Sequence, residues 1–141
     1  MLFRSHIVIK MTASAGQINE LEWMINYNLP NNDGIQLYGK QLLKTVVDTG
    51  QLDVIKWLIN VYSNDIKFIL SNNPGKFMYG ATRFNHPAML RFLINYYIPL
   101  GAAVSCRYPK EHNNNLLHIA AQFGLTDILR LLVLYIPECL H

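Results

Sequence analysis

The chain has 141 residues, 51% hydrophobic and 15% charged, which excludes a disordered chain and leaves one compact domain or one continuous stack of small units. Its formal charge of +3 comes from 12 basic and 9 acidic residues placed singly. Without a run of Lys or Arg to neutralise consecutive phosphates, nucleic acid is not the expected partner. Two cysteines, Cys106 and Cys139, are too few for a disulfide framework and fit a reducing, cytoplasmic setting.

In chain order, the N-terminal stretch has an early Arg4 and a small-residue Ala13-Ser14-Ala15, but Lys10 interrupts an apolar run too short for a secretion leader. Within "IKMTASAGQINELEWMIN" two short apolar patterns hinge on Gly16. Ile9, Thr12 and Ala13 predict a short first helix with a small-residue face. Leu21, Trp23, Met24 and Ile25 predict a second helix with Glu22 turned to water and Glu20 in its first turn. The polar connection "NYNLPNNDG" follows.

The layout returns in "LKTVVDTGQLDVIKWLIN" around Gly50. Leu43, Val46 and Val47 lie before the hinge, Ile55, Trp57, Leu58 and Ile59 after it, with Lys56 outward and Asp53 in the first turn. After the connection "SNNPGK", "MYGATRFNHPAMLRFLIN" repeats it around Asn85, with Met78, Ala81 and Thr82 before, Leu90, Phe92, Leu93 and Ile94 after, Arg91 outward and Pro87 at the first-turn position. Asn26, Asn60 and Asn95 fall together as expected helix stops. The longest uncharged segment, Phe92 to Cys106, contains Asn95, Pro99 and Gly101 and is too short for a membrane span.

The fourth copy, "LLHIAAQFGLTDILRLLVL", hinges on Gly124. Leu117, Ala120 and Ala121 precede the hinge; Leu129, Leu131, Leu132 and Val133 follow, with Arg130 outward and Asp127 in the first turn. The hinges are 34, 35 and 39 residues apart, and each suits a helix C-terminus where the chain turns left-handed, which Gly adopts freely and Asn tolerates. The expected organisation is a single repeat domain, 1–141, with repeats at about 1–34, 35–72, 73–108 and 109–141, each needing its neighbours to bury its apolar face.

These residues resemble ankyrin repeats, whose signature combines T-P-L-H-x-A with two helices and a turn. The fourth copy carries the clearest match in "NLLHIAAQFG", through Leu117, His118, Ala120, Ala121 and Gly124. The second adds Gly39, Gly50 and "GQLDVIKWLI", while the first and third match through hinge and apolar columns. No copy has the Thr-Pro pair, and the histidine column reads Lys10, Lys44, Tyr79 and His118. The W-x₂-L-G-x₂-Y pattern of tetratricopeptide arrays is absent. The degenerate, Ile-, Asn- and Tyr-rich copies resemble those of intracellular bacterial effectors and large DNA viruses. The resemblance implies an all-α fold, an ankyrin-like α-solenoid of four helix-turn-helix repeats. It also implies a protein-protein interaction module whose partner is another protein, here a host protein met in the host cytosol after secretion. The alternative is a targeting or regulatory domain of a larger enzyme.

In the family, partners bind a concave side that includes the two positions before each hinge. Here these are Ser14/Ala15, Asp48/Thr49, Arg83/Phe84 and Gln122/Phe123. An aromatic ring expected to face water is a candidate anchor, and Arg83 beside one adds a bidentate donor. The alternative is that the insertion from Pro99 to Asn115 covers either ring and extends the core. That insertion presents Arg107, Tyr108, Lys110 and His112 on a protruding loop. The expected contacts are therefore Asp48, Thr49, Arg83, Phe84, Arg107, Tyr108, Lys110, His112, Gln122 and Phe123. Tyr38, in the finger before the second copy, either reaches the same side or packs on a neighbouring finger.

Catalysis is not expected. Cys106 or Cys139 would need a neighbouring base among His6, His86, His112, His118 and His141, and no spacing joins them to a third group. Cys106, His112, His118 and Cys139 lack a paired C-x₂₋₄-C or H-x₃₋₅-H clip for zinc, and Gly75, Gly80 and Gly101 form no phosphate loop. No cofactor is expected. The apolar ending "LRLLVLYIPECLH" leaves one end of a stack to be covered by a further C-terminal segment of a longer protein, by end-to-end self-association, or by its own last residues.

Overall fold

The computed structural model describes residues 2–28, 33–100 and 116–136, and every regular element among them is an α-helix. The first copy is α1 (Leu2–Ser14) and α2 (Ile18–Asn28), and the second is α3 (Asp33–Asp48) and α4 (Leu52–Val61). After α5 (Ser63–Asn72) come α6 (Pro74–Arg83) and α7 (Pro87–Leu100), then α8 (Leu116–Gln122) and α9 (Thr126–Tyr135).

The four predicted hinges are the four described residues with positive φ: Gly16 at 73°, Gly50 at 69°, Asn85 at 59° and Gly124 at 67°. Each closes the same pair of hydrogen bonds. The hinge N–H donates to the carbonyl three residues back, at Ala13, Val47, Thr82 and Ala121, over 3.0 to 3.3 Å. The next N–H, of Gln17, Gln51, His86 or Leu125, donates to Thr12, Val46, Ala81 or Ala120. This is the Schellman closure, which satisfies carbonyls that the ending helix leaves without donors.

Two compact units make up the chain, Met1–Ile69 and Leu70–His141. In the first, α1 packs on α2 and on α3, and α3 packs on α4. Its core is Ile9, Ala13, Leu21, Ile25, Leu42, Leu43, Val46, Val47, Val54, Ile55, Leu58 and Ile66, all buried. In the second, α6 packs on α7 and α8, and α9 packs on α7 and α8. Its core includes Met78, Ala81, Leu90, Leu93, Ile94, Leu116, Ala120, Ile128 and Leu132. Thr82 is buried among them with its hydroxyl donating to the Met78 carbonyl, 2.9 Å away.

The outward column is exposed throughout, at Glu22, Lys56, Arg91 and Arg130. The neighbouring column departs from the expectation of core. Trp23 is 59% exposed, and Trp57, Phe92 and Leu131 are half-buried. The reason is angular: positions two apart on a helix lie about 200° around it, so a helix that buries Leu21 and Ile25 turns Trp23 away. In the fourth copy Ala121 is exposed and Leu129 half-buried, where Ala13, Val47 and Thr82, and Leu21, Ile55 and Leu90, are buried.

Three local features differ from the sequence expectation. The stretch before "SNNPGK" forms α5, whose Ile66 and Leu70, one turn apart, are buried. The first helix of the second copy is long, so that Tyr38 lies within α3 rather than in a finger. Asn95 does not stop α7, which runs to Leu100. Beyond it, Tyr96 stacks on Phe92 at 6.3 Å, and the buried Tyr97 donates its hydroxyl to the Leu70 carbonyl at 2.9 Å. That carbonyl needs an outside donor because the residue four positions on is Pro74, which has no N–H.

Candidate functional site

The Schellman closure reverses the chain and leaves the last two residues before each hinge at the helix end. In the second unit this brings three predicted residues together. Arg83 is the last residue of α6, Phe84 is its C-cap, and Phe123 precedes Gly124 at the end of α8. Because α6 packs on α8, the guanidinium carbon of Arg83 stands 5.8 Å from the Phe84 ring centroid and 4.7 Å from that of Phe123.

Phe84 is 50% exposed and Phe123 48%, and Arg83 and Gln122 are exposed as well. Each ring thus presents about half of its surface to water; residues 101–115 of the insertion expected as a possible cover lie outside the described residues. A cation over an exposed ring contributes about 0.5–1 kcal/mol, which favours this placement of the Arg side chain without burying it. Among the described residues no carboxylate lies within ion-pair distance of Arg83, and none accepts a hydrogen bond from it. No described residue engages its in-plane N–H donors, which have the fork geometry that matches a carboxylate.

Asp48 and Thr49, at the equivalent places of the second copy, belong to the first unit and are engaged on their own helix. Lys44 Nζ donates to Asp48 Oδ2 at 2.7 Å, one turn away. Thr49 Oγ1 donates to the Thr45 carbonyl at 2.6 Å. In the first copy Ser14 Oγ donates to the Met11 carbonyl, and Ala15 is exposed but small. The hinge positions of the first unit thus offer polar groups already paired, whereas those of the second offer a cation between rings.

Arg107, Tyr108, Lys110 and His112 lie outside the described residues, as do Cys106, Cys139 and His141. Of the remaining histidines, His6 lies within α1, His86 closes the third hinge through its backbone and His118 is exposed on α8. Among the described residues no group of three His, Cys, Asp or Glu could hold a metal ion, and no helix is long and apolar enough to cross a membrane.

One contact between copies has no precedent in the sequence expectations. Gln51, at the first position after the second hinge, donates from Nε2 to the Ser14 carbonyl at 2.7 Å. The column it occupies reads Gln17, Gln51, His86 and Leu125, so no repeated residue type marks it.

A family model described as ankyrin repeats, in three copies, matches residues 46–139. No curated protein and no solved structure matches the chain.

Proposed function

The chain belongs to the ankyrin-repeat family, and we propose that it is a protein-binding module whose contact surface in the second unit is built by Arg83, Phe84, Gln122 and Phe123. Ankyrin repeats are in general protein-protein interaction modules, and the family is typically non-catalytic. The observation that carries the reading is the pair of half-exposed rings held against one guanidinium by two successive hinges. Aromatic and Arg side chains are the types that dominate binding energy at interfaces, and here two rings and one guanidinium share a single exposed patch.

The setting that goes with this reading is a host cytosol, with a host protein as partner. It is supported by the resemblance of these degenerate copies to those of intracellular bacterial effectors and large DNA viruses, and by the small cysteine count.

The test is affinity capture from an animal-cell cytosolic extract with the wild-type chain beside the Phe84→Ala/Phe123→Ala variant, after matching their melting temperatures. One host protein retained by the wild type and lost by the variant is the expected result. Identical captures would remove these rings from the interface, and a large fall in melting temperature would assign them to the core.

A further inference from the structure

Resting on the protein-binding reading, we infer that the Arg83–Phe84–Phe123 cluster takes an acidic segment of its partner, in which an Asp or Glu carboxylate stands beside an aliphatic or aromatic side chain. Arg83 is held by the two rings at 4.7 and 5.8 Å, yet no described residue accepts its hydrogen bonds. The guanidinium's donors radiate in its plane and match the two oxygens of a carboxylate. A ring contact that restrains the side chain in the free protein lowers the entropy lost when the carboxylate arrives.

The charge balance points the same way. Residues 70–141 carry six basic and three acidic side chains, against six and six in residues 1–69, so the formal excess lies in the unit that bears the cluster. The described charges of that unit are Lys76, Arg83, Arg91 and Arg130 against Asp127. Such a field favours an anionic partner and speeds its approach. In the first unit Lys44, one turn before Asp48 at the corresponding pre-hinge position, already has its carboxylate in that residue.

The rings select a peptide over a simple polyanion. Phe84 and Phe123 each leave about half of their surface in water, and only a ligand with apolar atoms beside its charge covers them while pairing Arg83. The basic residues are also dispersed singly rather than set in a run that would track a phosphate backbone.

The experiment pans a phage-displayed library of short random peptides on the full chain and measures the enriched peptides, labelled with fluorescein, by anisotropy. Enrichment of Asp or Glu next to Leu, Ile, Phe or Trp is expected, with binding that weakens as salt rises. Arg83→Gln should weaken it by about tenfold or more, and Arg83→Lys by less. Replacing the peptide acid with its amide should cost the wild type as much, and cost Arg83→Gln little further. Peptides without acidic enrichment, or binding lost in Phe84→Ala/Phe123→Ala but unchanged in Arg83→Gln, would overturn the acidic partner while leaving the docking surface standing. Failure to enrich any peptide, or binding that neither variant alters, would overturn both readings. Arg83-dependent binding of a plain oligonucleotide as strong as that of the peptides would replace the acidic segment with a polyanion.

Discussion

Gln51 reaches across 37 positions of sequence to donate a 2.7 Å hydrogen bond from Nε2 to the Ser14 carbonyl. Ser14 ends α1, so its carbonyl has no partner in its own helix, and a side chain from the next hinge supplies one. Gln51 is also the N-cap of α4, where its side chain makes no capping bond. Gln51→Ala should lower stability by about 1 kcal/mol. Gln51→Glu should cost more, since a carboxylate cannot donate and sets like charge against the carbonyl oxygen. Urea midpoints of the two variants check this, and equal values to wild type would remove the bond from the stability of the fold.

The neighbouring hinge makes a sharper comparison. A Cβ on Gly16 would stand 2.7 Å from Gln51 Oε1, whereas one on Gly124 meets nothing within 4 Å. Both alanine substitutions carry the left-handed backbone cost of about 1–2 kcal/mol. Gly16→Ala also pushes Gln51 off Ser14, so it should be the more destabilising, and the excess should disappear when both variants are made in a Gln51→Ala background. An excess that persists there would place the strain elsewhere.

Tyr97 supplies the donor that Pro74 cannot give to the Leu70 carbonyl, in a buried position. Tyr97→Phe should cost about 1–3 kcal/mol, the range for leaving a buried acceptor without a partner. Thermal or urea unfolding at neutral pH measures it.

The same tyrosine makes stability depend on alkaline pH. Burial, and then the neighbouring Tyr96, hold its hydroxyl well above the ordinary value near 10. The folded state keeps a proton that the unfolded chain releases, so this contribution is fully present below about pH 10 and is lost as pH rises beyond it. Unfolding free energies between about pH 9 and 11 should fall for the wild type and fall less steeply for Tyr97→Phe. Burial raises Tyr96 as well, and burial with the charge of Glu22 raises Tyr62, so a smaller slope remains in the variant.

Leu21 and Trp23, two positions apart, should respond in opposite ways to truncation. Leu21 is fully buried, and Leu21→Ala should cost about 2–5 kcal/mol. Trp23 is 59% exposed, and Trp23→Ala should cost no more than about 1 kcal/mol. Acrylamide should also quench Trp23 in the folded protein more readily than the half-buried Trp57, read in single-tryptophan variants. Protection of Trp23 equal to that of Trp57 would contradict the orientation of α2.

The hinges were legible in the sequence because left-handed φ is a local property: Gly16, Gly50 and Gly124 adopt it at no steric cost, and Asn85 tolerates it. The exposed charged column and the positions buried at helical spacing were equally local, since period and polarity together fix which side of a helix meets water. The sequence also singled out Arg83, Phe84 and Phe123, each by its place before a hinge. It did not contain their meeting, because Phe84 and Phe123 are 39 positions apart and meet the same guanidinium only when α6 packs on α8. Tertiary packing likewise decided that α7 continues past Asn95 to bury Tyr97, and that Gln51 donates to Ser14 across the two copies. Local propensity governs where a chain can turn; the burial of one helix against another selects which side chains then share a surface, and that depends on contacts the linear order does not hold.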